Sequence, residues 1–154
     1  MADLVIDEWL WSDLAGENSP ERQRETFQFL EAVFIKCDRI VTVKGSRFEE
    51  KALGLWKQTD VTRRGIAKFY RDRFWYNSEK THLLEQAALE ELGEAVANEV
   101  KPDDHYLVRA CLTSNAVSIV TTDNPLKNIL EKHGIPCKHR QDFVPDYIAR
   151  YGRK

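Results

Sequence analysis

Four acidic residues stand where a shared fold edge could bring them together: Asp7, Glu49, Asp104 and Asp123. Asp7 ends the apolar run "LVI" (4–6). Asp123 ends "VSIVTTD" (117–123), whose Val117, Ile119 and Val120 suit a buried strand. Asp104 falls in the first turn of a helical pattern and shares a face with Leu107, Val108 and Cys111, so its carboxylate lies at the end of a core stripe. Glu49 has Ala52, Leu53 and Trp56 on its own side of another helix, whereas Glu50 points further round toward water. Taken singly, these are ordinary turn, cap or solvated early-helix residues. Gathered in a partly dry cleft, four carboxylates repel one another, and without cations some must protonate. A hard divalent cation with oxygen ligands relieves that repulsion. Mg2+ or Mn2+ suits such a site and leaves positions open for water and phosphate oxygens.

Whether the acids meet depends on the elements that carry them. Apolar runs at 4–6, 39–43 ("RIVTV"), 117–121 and 135–138 ("IPCK") read as strands. Between them the helical patterns begin with Ser19 as cap and Pro20 in first position, followed by Phe27, Leu30, Val33, Phe34 and Cys37 at helical spacing. Phe48, Ala52, Leu55 and Trp56 mark a second helix, and 61–76 predicts a third with an aromatic tail. Residues 78–99 are rich in helix formers behind a Ser78 cap. Pro102-Asp103-Asp104 and Asn124-Pro125 open two more helices, and a last one covers roughly 142–151. Strands separated by helices predict an α/β fold with a parallel sheet covered on both faces. Such sheets place strand C-termini, and ligands, along one edge. Asp7 and Asp123 belong on that edge together.

No repeat, low-complexity tract or composition break divides residues 1–154, so the chain reads as a single domain. With 42% hydrophobic and 31% charged residues it is composed like a folded globular protein, and its net charge of −2 gives no general attraction to nucleic acid. The apolar runs are too short to span a bilayer, and "MADLVIDEWLW" lacks the basic segment of a secretory leader. Three scattered cysteines, Cys37, Cys111 and Cys137, read as reduced, buried thiols, the first two on apolar faces, which suits a cytoplasmic protein. His133, Cys137 and His139 mimic a metal spacing, but Gly134 and Pro136 interrupt it, and a helix end followed by a strand explains them. "KGSR" (44–47) lacks the spacing of a phosphate loop.

Three segments make the chain resemble the PIN-domain ribonucleases, the family that includes the VapC toxins of toxin–antitoxin systems. They are "LVIDEWLW", an acid in the helix after "RIVTV", and "DDHYLVRACLTSNAVSIVTTDNPL". The resemblance implies a three-layer α/β/α sandwich around a central parallel sheet of 4–5 strands. It carries over Asp7, Asp104 and Asp123 as metal ligands and water positioners. "FEEKA" offers both Glu49 and Glu50 as the helix acid, and "PDDHY" offers Asp103 beside Asp104. Glu8 stands where many relatives carry a small polar residue, which leaves open whether it touches metal. The implied activity is Mg2+- or Mn2+-dependent hydrolysis of RNA phosphodiester bonds, with an occluding antitoxin protein and a homodimer as implied partners.

An acidic cleft repels RNA, so the grip must lie elsewhere. "RRGIAKFYRDRFWY" (63–76) sets Arg63, Arg64, Lys68, Arg71 and Arg73 among aromatics, a pattern for phosphates and unpaired bases, or for a core face backed by a solvated basic face. Two rival functions share the fold class. A phosphoryl-accepting receiver would use Asp7 and Glu8 but needs an acid after a middle strand, and "RIVTVKG" has none. A non-catalytic binding module is the other; retention of all four acids argues against it.

Overall fold

β1 (Asp3–Ile6) is the central strand of the sheet, and all four of its residues are buried. Leu4 and Ile6 face one apolar cluster and Val5 the other, as expected where helices cover both faces. The computed structural model describes residues Met1–Lys154. Its sheet also contains β2 (Arg39–Val43), β3 (Thr81–Leu84), β4 (Ser118–Thr121) and β5 (Cys137–His139), in the order β3-β2-β1-β4-β5. Every pairing is parallel. The architecture is therefore the α/β three-layer sandwich expected from the sequence, with five strands.

One helical layer comprises α1 (Trp9–Leu14), α2 (Pro20–Lys36), α3 (Arg47–Trp56), α4 (Val61–Tyr70) and α8 (Arg140–Tyr151), packed on Leu4, Ile6, Ile40 and Val120. The other comprises α5 (Glu94–Glu99), α6 (His105–Ser114) and α7 (Asn124–Lys132). Leu107, Val108, Leu126 and Leu130 from this layer bury against Val5, Val41 and Ile119. The chain winds outward from β1 through β2 to β3, then crosses back to β4 and β5 on the other side. The direction reverses between β1 and β4, and in open parallel sheets a crevice forms at such a reversal, beyond the strand C-termini. Asp7 follows β1 and Asp123 follows β4, so both carboxylates lie at this crevice.

Four local expectations are corrected. Residues 78–99 do not form one helix: 81–84 is strand β3, a 3-10 turn covers Gln86–Ala88, and only Glu94–Glu99 is α-helical. Helix propensity is a weak local preference, and here the backbone of 81–84 is taken up by parallel pairing with 40–43. Next, α1 follows directly on Asp7, where no helix was expected, and its Trp9, Leu10, Trp11 and Leu14 are all buried. The 61–76 helix is α-helical to Tyr70 and then loosens into a π-turn, Arg71–Trp75. Cys37 is exposed rather than buried: it ends α2 in the left-handed region at φ 67°, which turns its thiol away from the core. Cys111 and Cys137 are buried, and burial pushes their thiols up to about 11 and about 12. No helix is long and apolar enough to cross a membrane.

A candidate acidic active site

The crevice at the β1–β4 reversal is a cleft of about 400 Å³ lined by Asp7, Glu8, Asp104 and Asp123, with Arg22, Arg47 and Lys51 on its basic side. Three of the four predicted acids are therefore brought together. Asp7 is fixed from two directions: its Oδ1 accepts the Glu8 N–H at 2.7 Å and its Oδ2 accepts the Thr121 hydroxyl at 2.7 Å. Thr121 Oγ1 in turn accepts the Asp123 N–H at 3.0 Å. Asp123 caps α7 through Oδ1, which accepts the Leu126 N–H at 3.0 Å, leaving its second oxygen uncommitted. A 3-10 turn (Pro102–Asp104) precedes α6, so Asp104 sits at the helix mouth without making a side-chain cap bond. Its carboxylate points instead into the cleft.

Burial, followed by repulsion from Asp7, Asp123 and Glu8, raises the Asp104 carboxyl to about 6 from its ordinary 3.8. Asp7 is also raised, chiefly by burial and further by Glu8 and Asp123, while its bonds to Thr121 and the Glu8 N–H pull the other way. The Tyr106 hydroxyl, buried beside the cluster without a hydrogen-bond partner, is raised by burial and by Glu8, Asp7 and Asp104.

Glu49 is the expectation that the structure overturns. Its Oε1 accepts the Gly45 N–H at 3.2 Å while the cap residue Ser46 accepts the Glu49 N–H on Oγ at 3.3 Å, a capping arrangement at the start of α3 that holds the carboxylate outside the cleft lining. The alternate Glu50 is exposed and does not line the cleft. Asp103, the alternate to Asp104, is 73% exposed and pairs with Arg47 at 2.8 Å. The fourth acid of the cleft is Glu8, whose Oε1 lies 3.4 Å from Arg47 Nε and 3.3 Å from Lys51 Nζ. That oxygen is buried and has no hydrogen-bond partner. Sequence reasoning left Glu8 open and missed Thr121, Arg47 and Lys51. The "ENS" capping geometry at α2 gave no hint of Arg22 either. The usable signal for Arg47 and Lys51 was their four-residue spacing on α3, which puts both on one helical face.

The donor chemistry fits a hard divalent cation: the acids offer carboxylate oxygens only, and Asp104 is in no ion pair or side-chain cap, while Glu8 Oε1 is shared with Arg47 and Lys51. The spacing is looser than a closed ligand shell, since no three acidic, imidazole or thiol groups stand close enough to grip one ion together. His133 pairs with Glu99 at 3.0 Å and His139 caps α8 through Nδ1, so these two imidazoles serve separate structural roles.

The predicted basic residues divide. Arg64, Lys68 and Arg71 line a groove of about 380 Å³ together with Trp56, Val61 and Gly65. Arg63 turns to Asp60 at 4.0 Å, and Arg73 lies outside the groove.

No family model matches the chain and no curated protein matches its sequence. Among solved structures it is similar to the crystal structure of VapBC2 from Rickettsia felis bound to a DNA fragment from their promoter. The TM-score is 0.54 at 9% identity, over 89% of this chain and 98% of that one. That likeness is one of fold and agrees with a PIN-like sandwich.

Proposed function

We propose that the chain is a divalent-metal-dependent endoribonuclease, with Asp7, Asp104, Asp123 and Glu8 as the residues that would hold Mg2+ or Mn2+. The observation that carries this reading is the gathering of four carboxylates at the sheet's reversal point, where Asp104 makes no ion pair and is raised by burial and then by Asp7, Asp123 and Glu8. When bound, a divalent ion supplies a water of lowered pKa and offsets charge on the phosphate oxygens. The chain's own residues do the remaining work. Thr121 holds Asp7, the α7 N-terminus holds Asp123, and Arg22, Arg47 and Lys51 offer positive charge to the phosphates flanking the scissile bond. No histidine base lines the cleft. The likeness to VapBC2 supports a toxin–antitoxin role; in that role the chain is cytoplasmic and a small partner protein covers the cleft.

Purified protein is expected to cleave single-stranded RNA in Mn2+, to stop in EDTA, and to lose cleavage in Asp7→Asn with the fold retained. Full activity of that variant, free of host nuclease, would overturn the assignment.

A second reading has its own supporting observation. Arg47 and Lys51 pair with Glu8 and no three acids close on one ion, which suits a binding module that has lost catalysis. Unchanged RNA in Mn2+ with undiminished RNA affinity selects this reading. The receiver alternative fits poorly, because receivers use the strand order 2-1-3-4-5 and this sheet runs β3-β2-β1-β4-β5.

A further inference from the structure

The groove on α4 is chemically unlike the cleft. Arg64, Lys68 and Arg71 fall at i, i+4 and i+7 of one helical face, and no carboxylate lines the space between them. Arg71 meets only its neighbour Asp72, at 3.3 Å. Arg64 and Lys68 have no ion-pair partner, although nearby Arg63 finds one in Asp60. The wall opposite is Trp56, held in place by its Nε1–H, which donates to the Ala67 carbonyl at 3.1 Å, and by edge packing on Trp75 with ring centres 5.4 Å apart. The Arg71 guanidinium stands 5.9 Å from the Trp56 ring centre. Gly65 also lines the groove, and a Cβ there would meet nothing within 4 Å, so the space beside it is open.

α3 joins this groove to the cleft. Its first turns supply Arg47 and Lys51 to the acidic cleft, and its last residue is Trp56. At the α-helical rise this separation is about 14 Å, a distance that a few nucleotides of an extended strand cross. A row of cations beside an aromatic ring is the combination that binds a flexible polyanion carrying planar bases. An acidic peptide would match the charge but leave the tryptophan wall unused.

We infer that the Trp56–Arg64–Lys68–Arg71 groove is a second contact for single-stranded RNA, taking phosphates on its three cations and a base against Trp56, with α3 as the ridge between grip and cleavage point. The inference rests on the nuclease reading for its direction along α3, but the groove can be tested apart from it. Binding of a labelled single-stranded RNA on the order of a dozen nucleotides long is measured by fluorescence anisotropy in EDTA. The proteins compared are the native chain, Arg64→Gln/Lys68→Gln, and Asp104→Asn. The double variant, altered only at exposed positions, is expected to keep its melting temperature and lose affinity about tenfold. Its slope of log affinity against log salt should shrink by about 1.4, for two phosphate contacts released. Asp104→Asn is expected to bind no more weakly than the native chain. Native affinity in the double variant overturns the groove. So does equal binding of the corresponding duplex, or equal competition by polyglutamate. If the groove binds RNA that Mn2+ never causes to be cut, the cleft reading falls and the groove stands. Cleavage by the double variant with unchanged KM removes the groove and leaves the cleft.

Discussion

The Thr121 hydroxyl donates to Oδ2 of Asp7 at 2.7 Å, stitching the end of β4 to the end of β1. Thr121 Oγ1 itself accepts the Asp123 N–H at 3.0 Å, so one buried side chain orients two acids of the cleft. Thr121→Val removes both bonds at nearly constant volume. It is expected to lower stability by about 1–2 kcal/mol in urea unfolding and to reduce cleavage, while Thr121→Ser restores most of both. Native activity in the valine variant would show that Asp7 is held in place by its backbone alone.

Asp104 gives the cleft a pH signature. Its carboxyl is raised from 3.8 to about 6, so across that window the folded chain binds the proton more tightly than the unfolded chain. Stability therefore falls as pH rises through the window and is lowest once the group is ionised. Asp104→Asn is expected to melt at a higher temperature than the native protein at about pH 7.5 and to lose that advantage below about pH 4. Added Mn2+ should raise the native melting temperature and leave the variant's nearly unchanged. Thermal melts across pH, with and without Mn2+, check both expectations, and a variant advantage that persists in acid would contradict them.

Glu8, left open by the sequence, is predicted to take the place in the site that the helix pattern assigns to Glu49. Glu49→Gln should leave cleavage intact and weaken the α3 cap, with a stability loss of about 0.5–1 kcal/mol. Glu8→Gln should cut both activity and the Mn2+-induced rise in melting temperature, because it neutralises the acid beside Asp7. Activity assays paired with melts separate the two, and loss of cleavage in Glu49→Gln alone would restore the helix acid to the site.

A buried ion cluster braces the floor behind the cleft. Arg140 Nε donates to Asp13 Oδ2 at 2.7 Å, its Nη1 to Glu25 at 2.7 Å and its Nη2 to Thr26 Oγ1 at 3.1 Å, while its guanidinium lies 5.1 Å from the Trp9 ring centre. Arg140→Ala removes the closest cation from the fully buried Asp13 and leaves it Arg22, at 3.4 Å, as its remaining ion-pair partner. A loss of about 3–5 kcal/mol is expected from denaturant unfolding. Arg140→Ala combined with Asp13→Ala should be less damaging than the sum of the two single changes.

Much of this site is legible in the sequence for a simple reason. Strand ends and helix starts are marked locally, by "LVI" running into Asp7, by "TTD" and by Pro102-Asp103-Asp104, and a parallel α/β sheet then brings those marks to one edge. Periodicity also distinguishes Asp104 from Asp103, since only the former continues the stripe of Leu107, Val108 and Cys111. The helix acid is misread because burial pattern and capping chemistry predict the same residue type three positions after Ser46, and only the fold shows the Glu49 carboxylate folded back on Gly45. Strand β3 is hidden for a different reason. "THLLEQAALEEL" is helix-forming by local preference, and nothing within it announces the partner strand at 40–43.

That hidden strand lies on the outer margin of the sheet, four residues long, with Leu83 48% exposed and β2 as its one neighbour. A segment whose intrinsic preference opposes its native shape is the one that opens at least cost in free energy. Amide exchange should therefore release 81–84 early, while β1 and β4, clasped at the centre, exchange only on global unfolding. The protein thus has a yielding rim and a rigid hub, and the four carboxylates sit on the hub, insulated from fluctuations that begin two strands away.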